Sequence, residues 1–220
     1  MKVIPYKFTL VGMSGKGKTM AFRNMNPTTC GFINMENKPL PFINNFTHYD
    51  DPKNYHLCYQ KLIEYAKNDE IKEVVLDSFS GYIHSLLKSA RDQYKNYDIW
   101  NFYNAEIGKL LYLIKTYPKD LIMTAHYEWI EGESGVIEKY IAVKGKEWKC
   151  KIEENFTITH FADMKFVDQK RKYIIELNSD GKSSAKTPPI FLIEGEETIE
   201  NDYHIFLQRV REVLSKSKTQ

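Results

Sequence analysis

Gly12-Met13-Ser14-Gly15-Lys16-Gly17-Lys18-Thr19 fits the pattern G-x-x-x-x-G-K-[ST]. The chemistry of that spacing is phosphate binding. Glycines let backbone N–H groups converge on an anion, the lysine reaches the β- and γ-phosphates, and the hydroxyl after it ligates Mg²⁺. Gly12 to Thr19 together with Met20 are therefore the expected nucleotide-binding residues, with Lys18 on the phosphates and Thr19 on the metal. Three acids or polar groups stand where they would complete such a site. Asp77 ends the apolar run Glu73-Val74-Val75-Leu76, the Walker B pattern, and is expected to hold Mg²⁺ directly or through water. Glu36 ends Cys30-Gly31-Phe32-Ile33-Asn34-Met35 and can serve as general base toward an attacking water. His126 ends Leu121-Ile122-Met123-Thr124-Ala125 and can sense the γ-phosphate or orient that water.

These residues need a frame that brings strand ends together. Tyr6 to Val11 predicts a buried first strand, and Thr19 to Met25 a helix stopped by Pro27. Cys30–Glu36, Glu73–Ser78 and Leu121–His126 predict further buried strands. Helical spacing covers Tyr55 to Lys67, Phe79 to Tyr94 and Ile99 to Tyr117, the last closed by Pro118. Strands alternating with helices predict an α/β fold, a mostly parallel sheet with helices on both faces. In such sheets ligands sit beyond the carboxyl ends of the strands, where Glu36, Asp77, Ser78 and His126 fall. Trp100 and Tyr103, at i and i+3, fit packing better than function.

The last third reads as β-rich. Tyr127 to Val143 predicts a hairpin, Trp148 to Phe156 a short helix, and Thr157–Val167 with Arg171–Leu177 a pair of strands. The segment from Asn37 to Pro52 and the polar stretch from Ser179 to Lys186 predict loops, Ile190–Ile193 an edge strand, and Glu197–Ser215 an amphipathic helix. No repeat or linker is evident, which predicts one domain over residues 1–220, with a core of about 5–195 and the terminal helix at about 197–215.

A net charge of +2 neither demands nor forbids nucleic acid. Cys30, Cys58 and Cys150, odd in number and without C-x-x-C spacing, argue against a disulfide framework and a zinc site. No apolar run reaches transmembrane length and Met1 to Pro5 is no signal peptide, so no membrane partner and a cytoplasmic location are expected. Basic residues gather at Lys144, Lys146, Lys149 and Lys151 and again at Lys165, Lys170, Arg171 and Lys172, with interspersed acids, as nucleic-acid patches or solvated faces.

Together the phosphate loop, Phe32-Ile33-Asn34-Met35-Glu36, Val74-Val75-Leu76-Asp77-Ser78 and Thr124-Ala125-His126 resemble the RecA-like P-loop ATPases. Within them the likeness is to small phage-encoded nucleotide-binding proteins, some of which are single-strand annealing recombinases of the Sak group. It runs from about residue 5 to 195 and weakens after His126. The resemblance implies an ATPase using ATP and Mg²⁺, with Glu36 as catalytic glutamate and His126 at the γ-phosphate sensor position. By analogy Lys186 is a cationic finger offered to the next protomer of a ring or filament. The family also places mobile DNA-contacting loops after the sensor strand, which points to the segments around Gly132–Gly135 and Gly145. Ser follows the Walker B acid, so the D-E-x-x helicase pattern is absent, which fits RecA-like chemistry and argues against the usual AAA+ reading. The implied role is action on single-stranded DNA in recombination, annealing or repair, in the host cytoplasm, with single-strand-binding or replication proteins as collaborators. The alternative is a nucleotide-gated assembly or loader protein whose partner is a protein, and a small-molecule kinase comes third. A kinase usually needs an arginine-rich lid, and Arg23, Arg91, Arg171, Arg209 and Arg211 do not cluster as one.

Overall fold

The computed structural model describes residues 4–131, 137–179 and 181–216. Its centre is an eight-stranded sheet in the order β10-β9-β8-β1-β5-β4-β2-β3. The strands are β1 (Lys7–Val11), β2 (Cys30–Asn34), β3 (His48–Asp50), β4 (Glu73–Asp77), β5 (Asp120–Ala125), β8 (Ile158–Val167), β9 (Lys170–Glu176) and β10 (Thr198–Glu200). Pairing is parallel from β8 through β3, and antiparallel for β8 with β9 and β9 with β10. A separate hairpin, β6 (Tyr127–Glu131) and β7 (Ile137–Ile141), leaves the end of β5.

β1, β2 and β4 are buried along their whole length. Such continuous apolar runs suit strands covered on both faces. On one face lie α1 (Tyr55–Lys67), α2 (Phe79–Gln93) and α3 (Asp98–Thr116), packed with Ile33, Val74, Leu76 and Met123. Asn54 caps α1 by accepting from the Leu57 N–H at 2.9 Å, and Ser78 caps α2 through the Gly81 N–H at 3.1 Å. On the other face α4 (Tyr203–Lys216) packs Tyr203, Phe206, Leu207 and Val210 against Phe8, Phe32 and Val75. The fold is thus the expected α/β one, a mostly parallel sheet with helices on both faces and a β-rich last third. Among the described residues, no helix is long and apolar enough to cross a membrane.

Several local expectations differ. The segment after the phosphate loop is a single 3-10 turn, Thr19–Phe22, rather than a helix to Met25. Phe22 and Met25 are buried in the core cluster that α4 shares, with the Phe22 ring against Phe32 and Tyr203. The Asn37–Pro52 loop contains β3, which extends the sheet beside β2. β2 ends at Asn34, leaving Met35 and Glu36 in the turn beyond it. In Trp148–Phe156 only Glu153–Asn155 forms a 3-10 turn. Ile190–Ile193 is no edge strand, because Pro188-Pro189 opens a 3-10 turn over Pro189–Phe191. The edge strand is β10, which takes the first residues of the expected terminal helix, and α4 begins only at Tyr203. Gly132 and Gly135 lie outside the described residues. Trp100 and Tyr103 pack as expected, their rings edge to face at 5.8 Å. Gly145, with φ +81°, sits against the Trp100 ring.

Candidate nucleotide site

Asn34 pairs with Asp77, and Leu10 with Thr124, so the carboxyl ends of β1, β2, β4 and β5 finish at one level. The turns leaving them surround a cavity of about 480 Å³. Ser14, Gly15, Gly17, Lys18, Thr19 and Met20 of the phosphate loop line one side. Glu36, Asp77, Ser78 and His126 line the other. Residues from four separate segments therefore meet as the strand-end rule requires.

The loop itself needs glycine at two points. Gly12 runs so close to β8 that a Cβ there would stand 2.8 Å from the Ala162 carbonyl oxygen. Gly17 has φ +85°, and a Cβ there would meet the Asn201 side chain at 2.7 Å and the Tyr173 ring at 3.1 Å. Lys18 is buried, and its Nζ donates to the carbonyls of Gly12 at 2.7 Å and Met13 at 3.0 Å. Burial lowers the Lys18 ammonium from its ordinary range, while Asp77 and Glu36 work in the opposite direction. Lys16 points away from the cavity and pairs with Asp163 of β8 at 2.7 Å. Because the turn after the loop is one 3-10 turn, the anion cradle consists of loop amides and Lys18 rather than the dipole of a long helix.

Asp77 is almost fully buried. One carboxylate oxygen accepts from the Thr19 hydroxyl at 2.7 Å and the other from Thr124. Burial pushes its carboxyl up, and the Thr124 and Thr19 hydroxyls pull it back. Glu36 keeps 28% of its side chain exposed and accepts from the Ser78 hydroxyl at 2.6 Å. Lys38 reaches its second oxygen at 3.1 Å. Burial acts to raise the Glu36 carboxyl, but the Ser78 and Lys38 bonds outweigh it and leave the group below its ordinary value. His126 donates its backbone N–H to the Ser80 hydroxyl at 2.9 Å, and its ring is held below its usual range by burial and by the nearby Lys18. At neutral pH the cavity therefore presents an ionised Glu36 and a neutral imidazole.

Thr19 and Asp77 offer a hydroxyl and a carboxylate 2.7 Å apart, the hard oxygen donors that a small divalent cation takes. Among the described residues no cluster of three metal-ligating side chains exists.

Three contributors escaped the sequence. Thr124 is the second partner of Asp77, and its place one residue before the strand end was the only signal. Lys38 neighbours Glu36 in the following turn. Tyr173 of β9 reaches the cavity from the far end of the chain, and nothing local to it announces this. Lys186 is not brought to the cavity. It forms a bridge to Thr159 at the edge of β8, and its Nζ donates to the Glu153 carbonyl at 3.0 Å.

A family model described as an AAA domain matches residues 4–188. The chain belongs to the AAA domain family. Within that family's span, β4 ends at Asp77 with Ser78 following it, and the second acid at the cavity comes from the turn after β2. Among solved structures, a RadB recombinase superposes with a TM-score of 0.49 at 10% identity, over 78% of this chain and 79% of the other. A KaiC-like protein from the hyperthermophilic archaeon Pyrococcus horikoshii OT3 gives 0.45 at 13% identity, over 78% and 77%. No curated protein matches the chain.

Proposed function

We propose that the chain hydrolyses ATP with Mg²⁺ and acts on single-stranded DNA in recombination, annealing or repair. The observation that carries the ATPase half is Glu36, an ionised carboxylate set on the cavity beside the buried Walker B acid and oriented by Ser78. Water positioned by Glu36 attacks the γ-phosphorus in line. Its proton passes to the Glu36 carboxylate, the bond to the β,γ-bridging oxygen breaks, and that oxygen leaves with the electron pair as ADP. Lys18 exchanges its two loop carbonyls for phosphate oxygens and offsets their charge. Thr19 and Asp77 would hold Mg²⁺, which when bound would neutralise phosphate charge. His126, neutral and set between the end of β5 and the start of β6, reports phosphate occupancy to that hairpin.

The DNA half rests on the resemblance to RecA-like proteins and on a phage, Sak-group kinship within them. In a ring or filament, Lys186 would leave the Glu153 carbonyl and serve the neighbour's phosphate. A nucleotide-gated switch for a protein partner is the second reading. It is favoured by the exposed Ile190 and Ile193 beside the exposed Ile205 of α4. ATP hydrolysis with and without single-stranded DNA tests both. Glu36→Gln should lower turnover by about 10²–10⁴-fold and leave nucleotide binding intact, whereas Lys18→Ala should lose both. DNA stimulation supports the first reading. Hydrolysis indifferent to DNA, with none retained at low salt, favours the second.

A further inference from the structure

β8 pairs with β1 only as far as Phe161, and β9 with β10 only back to Ile174. Asn201 N–H still reaches the Tyr173 carbonyl at 3.2 Å, and beyond Met164 and Tyr173 the two strands continue as a ribbon paired only with each other to the turn at Asp168 and Gln169. Cross-strand register places Lys165 opposite Lys172 and Val167 opposite Lys170. With a side-chain period of two, Lys165, Lys170 and Lys172 share one face of this ribbon. All three are exposed, and among the described residues none of them pairs with an acid. Like charges directly opposite weaken a two-stranded ladder, and an isolated ribbon has little stability to spare. Folding alone would not select this arrangement.

The same face continues toward the sheet through Asp163 and Phe161. Its acids are already engaged, Asp163 by Lys16 at 2.7 Å and Glu176 by Lys139 at 4.0 Å. The Lys139 ammonium lies 5.4 Å from the Tyr127 and Trp129 rings and 5.7 Å from Phe161. Trp129 is 53% exposed. A row of uncompensated lysines thus leads to an exposed indole, the combination of phosphate track and stacking platform that suits a single-stranded nucleic acid. An acidic protein would use the lysines and leave the indole unexplained.

We infer that the β8–β9 ribbon is the single-strand contact, with Lys165, Lys170 and Lys172 on phosphates and Trp129 under a base. The inference rests on the DNA reading above and names its surface. The Lys16–Asp163 pair ties the root of the ribbon to the phosphate loop, so the bound strand and the nucleotide share one mechanical link.

The test is binding of a fluorescent oligothymidylate to the full chain across a salt series. Replacing Lys165, Lys170 and Lys172 together by Gln should weaken binding about tenfold or more and flatten the log–log salt slope by about 2. Trp129→Phe should weaken binding by about tenfold with the slope unchanged, because stacking releases no counterions. Changing Lys144, Lys146, Lys149 and Lys151 to Gln should leave both quantities within about twofold. DNA-free ATP hydrolysis in the ribbon variant should match the parent, which shows that it is folded. If the parent binds and the ribbon variant binds equally, the ribbon is overturned and the DNA reading stands. If the parent retains no oligonucleotide at low salt, both fall.

Discussion

One face of the central sheet is covered by α1, α2 and α3, which follow one another in the chain, whereas the other is covered by a single 3-10 turn after the phosphate loop and by α4 from the far end of the sequence. The first face carries the chemistry. Ser78 follows β4, caps α2 and holds Glu36, so one residue serves fold and site together. The second face carries the loop. Asn201 donates to the Gly17 carbonyl at 3.0 Å, Arg23 donates to the Asn201 carbonyl, and Asn24 donates to Asp202, which in turn caps α4 through the His204 N–H. Where a long helix would have braced the phosphate loop from within its own segment, this chain braces it with a distant one.

The difference can be broken from either side. The largest effect is expected at Phe206, fully buried between α4 and Phe8. Phe206→Ala should cost about 3–5 kcal/mol, and Leu110→Ala on the opposite face about 2–5 kcal/mol. Only the first should also weaken nucleotide binding in the fraction that stays folded, because α4 anchors the turn just before it, from which Asn201 holds Gly17. Urea unfolding beside nucleotide titration separates the two, and equal loss of binding in both variants would remove the distinction between the faces.

A smaller effect is expected from pH at His160, which stacks edge to face on Phe206 at 4.5 Å. Thr187 gives its proton to the Leu177 carbonyl at 2.6 Å, so it accepts from His160 Nε2–H and leaves Nδ1 unprotonated and without a partner. Burial drives the imidazole down to about 3, against 6.5 in the unfolded chain. Above the unfolded value both states are neutral and nothing changes. As pH falls below it the unfolded chain takes up a proton that the folded one refuses, and stability is lost until the folded value is reached. Between pH 6.5 and about 5 the loss is about 2 kcal/mol, and His160→Gln should remove that slope in urea unfolding.

The smallest effect on stability, yet the sharpest on chemistry, is expected at Ser78. Ser78→Ala removes the α2 cap at a cost of about 1 kcal/mol. It also removes the hydroxyl that draws Glu36 below its ordinary value, so that carboxyl rises. Since the base must be ionised, the acid limb of the pH profile of kcat/KM should move to higher pH. An unmoved limb would mean that Ser78 serves the helix alone.

The glycine loop, Asp77, Glu36 and His126 were legible because each is marked by residue type at the end of an apolar run, and strand ends in a parallel sheet converge by geometry. The helices α1 to α3 were legible for a similar reason, since their periodicity and caps are local properties. The short turn after the loop was not. Thr19 to Met25 has helical composition, but its apolar residues are spent on α4, a contact with no trace in the local pattern. β10 was read as helix because three residues of strand pairing at a sheet edge leave no period to detect.

By itself the sequence determined the phosphate-loop pattern, the polar residues at the strand ends and the parallel layering, which depend on residue identity and short-range spacing. Only the tertiary structure decided that Thr124 and Lys38 join the two acids, that Tyr173 and Asn201 abut Gly17, and that three lysines share a face with Trp129. Those are distances between segments far apart in the chain, and they exist only once the sheet has set their register.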